Sequence, residues 1–97
     1  MQIPCETHLI NQCFNSEFVE FVWKFDEPKC EYAVQFRKNG TVQVENFVSD
    51  DVSIQWELPT YTKFGPNCLC DVVDKHFNGG KSLVKLGADV VSYLNDL

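Results

Sequence analysis

Apolar and polar side chains take turns along the first half of the chain. In EFVEFVWKF (17–25), Val19, Phe21, Trp23 and Phe25 alternate with Glu20, Val22 and Lys24. A two-residue period rich in aromatic and β-branched residues predicts a strand. Pro28 interrupts it. Tyr32, Val34 and Phe36 then alternate with Ala33, Gln35 and Arg37 as a second strand, and Val42 and Val44 alternate with Thr41, Gln43 and Glu45 as a third.

The register of the hairpin around Asn39-Gly40 follows from the same alternation. A two-residue loop would oppose Phe36 to Gln43 and Val34 to Glu45. Directly opposed residues share a face, so that pairing mixes apolar and polar positions. A three-residue loop, Lys38-Asn39-Gly40, opposes Phe36 to Val42 and Val34 to Val44, and sorts the faces. The sequence therefore predicts a type I turn with Gly40 left-handed in a G1 bulge.

Elsewhere the period changes. Leu9, Ile10, Cys13 and Phe14 recur at helical spacing, which predicts a short helix over 6–14 with Thr7 as its cap. Ile54, Trp56 and Leu58 alternate with Ser53, Gln55 and Glu57 as a fourth strand, which Pro59 ends. LPTYTKFGPN reads as a loop bounded by prolines. A helix is predicted over about 68–77, stopped by Asn78-Gly79-Gly80. A last helix runs from Ser82 to the end, with Leu83, Leu86, Val90, Tyr93 and Leu97 at three-four spacing and Val91 and Leu94 beside them. The expected fold is α+β: a four-stranded antiparallel meander with helices packed on one face, in the order α-β-β-β-β-α-α. Glu20, Lys24, Gln35, Arg37, Thr41, Gln43, Glu45, Ser53, Gln55 and Glu57 are expected on the wet face.

The chain has 97 residues, of which 44% are hydrophobic, enough for one domain with a core and little room for a deep cleft besides. The net charge is −6, from 14 acids and 8 bases. Such a balance repels nucleic-acid phosphates and anionic membranes, and no apolar run is long enough to span a bilayer. The start, MQIPCETHLINQC, lacks the basic and apolar regions of a signal peptide. The five cysteines have no regular spacing, and the expectation is reduced thiols in a cytoplasmic protein.

Three stretches invite chemistry. CLCDVVDKH (68–76) holds two thiols, two carboxylates and an imidazole. On a helix, Leu69, Val72, Val73, His76 and Phe77 share one face, with Asp71, Asp74 and Lys75 opposite. Cys68 and Cys70 stand about 160° apart, so a regular helix does not aim both at one ion, and zinc-binding thiolate pairs leave two to four residues between them. Buried thiols packing as small hydrophobes are the simpler reading. A metal or thiol site built from Cys5, His8, Cys68, Cys70 and His76 requires the fold to bring distant groups together. Lys75 stands where a phosphate-binding loop ending in GGKS would need its first glycine, so that motif is rejected. Neither a catalytic residue nor a cofactor is assigned.

What remains is binding. Tyr61 and Phe64 lie on a segment stiffened by prolines, and aromatic residues on pre-organised loops make good interface anchors. Asp26, Glu27 and Glu31 in the first turn and Asp50 and Asp51 in the third should sit at one end of a meander, with Glu45 and Glu57 on the sheet face. Acid so gathered steers association with a basic patch. The expectation is a small, acidic, non-enzymatic protein-binding module, monomeric or weakly dimeric, whose partner is a protein with a basic surface. Its type is that of viral and phage inhibitors that dock on a host nucleic-acid-handling or defence complex, an analogy of type and not of motif. The alternatives are the metal or thiol site above and a structural subunit that oligomerises through the last helix.

Overall fold

The structure is a computed structural model that describes residues 2–26, 29–49, 60–65, 68–74 and 82–97. Among the described residues, five strands form one antiparallel sheet in chain order: β1 (Leu9–Phe14), β2 (Phe18–Asp26), β3 (Lys29–Arg37), β4 (Thr41–Ser49) and β5 (Thr60–Lys63). A short helix α1 (Leu69–Asp74) and a longer α2 (Ser82–Asn95) complete the α+β architecture.

The central hairpins follow the alternation. Across β2 and β3, Val19 faces Phe36, Phe21 faces Val34 and Trp23 faces Tyr32. Across β3 and β4, Phe36 faces Val42, Gln35 faces Gln43 and Val34 faces Val44, the register that a three-residue loop requires. The Gly40 N–H donates to the Arg37 carbonyl at 3.0 Å, and Gly40 has a φ of 87°, as a G1 bulge demands. Asn39 Oδ1 holds the turn from outside, accepting from the Thr41 N–H at 3.1 Å and the Thr41 hydroxyl at 2.6 Å.

Residues 6–14 are not a helix. Glu6–His8 form a single 3-10 turn, and Leu9–Phe14 pair with β2. The physical reason is a β-bulge. The register slips by one residue between Leu9 and Asn11, so Ile10 is an insertion. That slip breaks the two-residue alternation and leaves Leu9, Ile10, Cys13 and Phe14 spaced as on a helix. Asn15 makes the turn into β2. Its Oδ1 accepts from the Glu17 and Phe18 N–H groups, each at 2.9 Å, a side-chain mimic of a backbone turn.

The sheet also gains β5 where the sequence predicts a loop. Thr60–Lys63 pair with β4, Tyr61 opposite Gln43 and Thr62 opposite Val42. Four residues are too few to display a period. The strand expected over 53–58 lies outside the described residues, as do Asn67 and residues 75–81.

One face of the sheet is the core. Val19, Phe21, Trp23, Tyr32, Val34, Phe36, Val42 and Val44 are buried, and they share one apolar cluster with Cys68, Leu69, Cys70 and Val73 of the α1 segment and Leu83, Leu86, Val90 and Leu94 of α2. Each Val, Leu or Phe among them contributes roughly 1.5–3 kcal/mol by leaving water. Trp23 also needs a partner for its indole N–H and donates it to the Pro4 carbonyl at 2.8 Å, which ties the N-terminal segment to the sheet. Two expected surface positions turn out buried. Asp74 is 3% exposed, because its carboxylate accepts from the Leu83 N–H at 2.6 Å and the Val84 N–H at 3.2 Å. It joins α1 to the otherwise unpaired first turn of α2. Gln35, expected on the wet face, is 7% exposed. It lies mid-sheet and is bonded on both sides, to Glu20 Oε2 at 3.2 Å and from Arg37 Nε at 2.6 Å.

Gly87 sets how closely α2 approaches the sheet. A Cβ there would lie 2.6 Å from Phe36 Cε1 and 2.5 Å from Phe64 Cε2. Alanine favours helix over glycine by about 1 kcal/mol, but overpacking a filled site costs roughly 1–3 kcal/mol. Phe36 is fully buried, so the second effect wins. Gly87→Ala is expected to lower the urea midpoint, a net loss of up to about 2 kcal/mol at unchanged m-value. A midpoint that rises would show that α2 stands further from the sheet.

Candidate functional site

Of the acidic residues, Asp26 and Glu31 lie toward one end of the sheet. Cys30 of β3 pairs with Ser49 of β4, so the β2–β3 turn and the end of β4 are neighbours. Asp26 is exposed at that end and Glu31 is half-buried. Register tempers their charge, since Asp26 stands opposite Lys29 and Glu31 opposite Lys24. Opposite charges facing each other across strands attract, so Lys24 offsets part of the charge of Glu31. Glu27, Asp50, Asp51 and Glu57 lie outside the described residues. Glu45 has its backbone in β4, opposite Ala33.

The two aromatic residues separate. Tyr61 stands in β5, at the position facing Gln43. Phe64 is half-buried and packs edge-on to Phe36, with ring centroids 6.2 Å apart. It also meets α2 at Gly87. Its N–H donates to the Gly40 carbonyl at 2.7 Å, which fixes the segment that carries it.

The residues of the metal or thiol reading are distributed as follows. Cys68 and Cys70 are buried in the core cluster, and Cys5 packs half-buried against it. Cys5 is left-handed, with a φ of 48°, where it starts the 3-10 turn. His8 is exposed, and its ring lies against Phe25 with centroids 4.6 Å apart. His76 lies outside the described residues. Among the described residues, no three of His, Cys, Asp and Glu form a group that could hold a metal ion. No described helix is long and apolar enough to cross a membrane.

A third surface was not visible in the sequence. Strand β1 is the outer strand of the sheet, and residues 10–14 are all exposed. Ile10 is 57% exposed and Phe14 46%, while on α2 Tyr93 is 41% exposed. The Phe14 and Tyr93 rings meet edge to face at 6.3 Å. Reading 6–14 as a helix hid this edge. The Asn15-Ser16 turn signal before the first clear strand was the clue to it. An open concavity of about 270 Å³ runs along Leu9–Gln12. Another of about 230 Å³ is lined by Glu17, Phe18, Arg37 and Asn39. Both fall short of the roughly 300–1,000 Å³ usual for small-molecule sites.

Phe64→Ala is expected to cost about 2–3 kcal/mol, less than the roughly 3–5 of a fully buried ring. Asp26→Asn should leave the denaturation midpoint unmoved, as exposed sites usually do. Equal stability of both variants would mean that Phe64 is not part of the core edge. No protein-family model matches the chain, and no curated protein or solved structure matches it.

Proposed function

We propose that the chain is a small non-enzymatic module that binds a protein partner through a basic surface of that partner, as nucleic-acid-handling and defence complexes present. The observation that supports this reading is the pairing of Cys30 with Ser49, which makes neighbours of two strand ends that adjoin acidic stretches in the sequence. Along the chain, Asp26, Glu27, Glu31, Asp50 and Asp51 carry five negative charges in and next to these strand ends, against two positive charges from Lys24 and Lys29. The excess survives the cross-strand pairing. The charge of the whole chain, −6, adds a long-range attraction that raises the rate of encounter with a cationic surface. Docking of this kind needs neither a cleft nor a reactive group.

The test starts with affinity capture from the native cell, followed by a salt titration of the recovered complex. A variant with Asp26, Glu27, Asp50 and Asp51 all changed to their amides is compared with the native chain. The association rate is expected to fall about tenfold or more in the variant, and native binding should weaken as salt rises. A partner whose affinity ignores both changes would remove the acidic end from the interface.

A further inference from the structure

Strand β1 leaves half of its backbone groups pointing away from the sheet. The Asn15 N–H donates to the Phe18 carbonyl at 3.1 Å, so Asn15–Phe18 is a bonded pair. Bonded and unbonded pairs alternate along an antiparallel ladder. Cys13–Glu20 and Asn11–Val22 are therefore bonded, and Gln12–Phe21 and Phe14–Val19 are not. The N–H and C=O groups of Gln12 and Phe14 face outward, where no described strand lies.

Exposed edges are usually blunted by charge or proline. β1, LINQCF, has neither. Its one irregularity, the bulge at Ile10, leaves 11–14 regular. Beside this free ladder, on the core side of the sheet, Phe14 and Tyr93 offer partly exposed rings in mutual contact. An added strand would gain backbone partners and apolar cover together.

We propose that two copies of the chain pair antiparallel through β1, with Cys13 of each on the two-fold axis. The register follows from the outward groups. Gln12 of one copy bonds Phe14 of the other, and the two-fold repeats that pair. Cys13 then meets Cys13 in the unbonded position between them. A two-fold through Gln12 would need the groups of Ile10, which the bulge removes from the alternation.

Charge favours a second copy as the occupant. None of the chain's 14 acids and 8 bases lies in β1, so antiparallel self-pairing opposes no like charges. A foreign strand would find nothing here to select it by charge. The nearest ladder acid, Glu20, sits one strand in, opposite Cys13. Across the dimer the two Glu20 positions are three strand spacings apart, about 14 Å. That exceeds the screening length of about 8–10 Å at ordinary salt. Added salt should therefore leave the dimer intact or tighten it, the opposite of its effect on acidic docking. The two proposals thus fail separately.

Sedimentation across a micromolar to high-micromolar concentration series tests this. A reversible dimer is expected, persisting in added salt. Gln12→Pro removes only an outward N–H, a position where an edge strand accepts proline. It should weaken the dimer by at least about tenfold, a shift of about 1.4 kcal/mol. Cys13→Arg sets two like charges on the axis and should act similarly, without touching the β1–β2 ladder. The two Cys13 Cα atoms would lie about 4.5 Å apart, as unbonded pairs do, within disulfide reach. Diamide, a mild diazene oxidant, should take two electrons and two protons from the paired thiols. The product is a covalent dimer that Cys13→Ser abolishes. A chain that stays monomeric at the highest concentration overturns the proposal. So does a dimer indifferent to both Gln12→Pro and Cys13→Arg, or one that never links through Cys13.

Discussion

The two-residue repeat of the pleated strand is the constraint on which this structure rests. It sends Val19, Phe21 and Trp23 to the same side as Tyr32, Val34, Phe36, Val42 and Val44, and so creates one water-averse face that must be covered. α2 covers it with a stripe at three-four spacing, Leu83, Leu86, Val90 and Leu94, all fully buried. The cover fits because Gly87 lets the helix approach the Phe36 and Phe64 rings. Asp74 then spends a buried carboxylate on the first turn of that helix. A buried charge is tolerable there because N–H donors and the positive end of the helix dipole receive it.

The same repeat defines the surface. The face opposite the core is polar but not simply wet. Glu20, Gln35 and Arg37 join in a hydrogen-bonded row, and such a row orders its members and removes Gln35 from solvent. Asp26 and Glu31 lie toward one end, each opposite a lysine in register. The uncharged edge of β1 lies on the outer margin of the sheet. Charge at the end and its absence along the edge suit two different kinds of contact, one steered through solvent and one closed by backbone pairing.

What could be read in the sequence depended on how many residues kept one phase. β2 and β3 alternate over nine residues each, and β4 does so over 41–45, before the β3–β4 register shifts between Glu31 and Ala33; the pairing near the Gly40 turn follows from that alternation. β1 was misread because one inserted residue shifts the phase. β5 was missed because it is four residues long and sits between prolines. Asp74 looked solvent-facing because helical geometry places it opposite the apolar stripe. Its burial comes from α2, which the local sequence does not mention. The acids Asp26 and Glu31 are plain in the sequence, but the lysines opposite them are revealed only by register. Sequence reasoning found Phe64 without its core contacts, and missed Phe14 and Tyr93 as an exposed pair.

Strand β1 is where the two-residue repeat and its helical rival make opposite claims, so amide hydrogen exchange over residues 9–15, followed by NMR in dilute protein, tests the account most directly. The pleated edge predicts slow exchange at Asn11, Cys13 and Asn15 and fast exchange at Gln12 and Phe14. A run of consecutive protected amides through 10–14, as a helix would give, would contradict it.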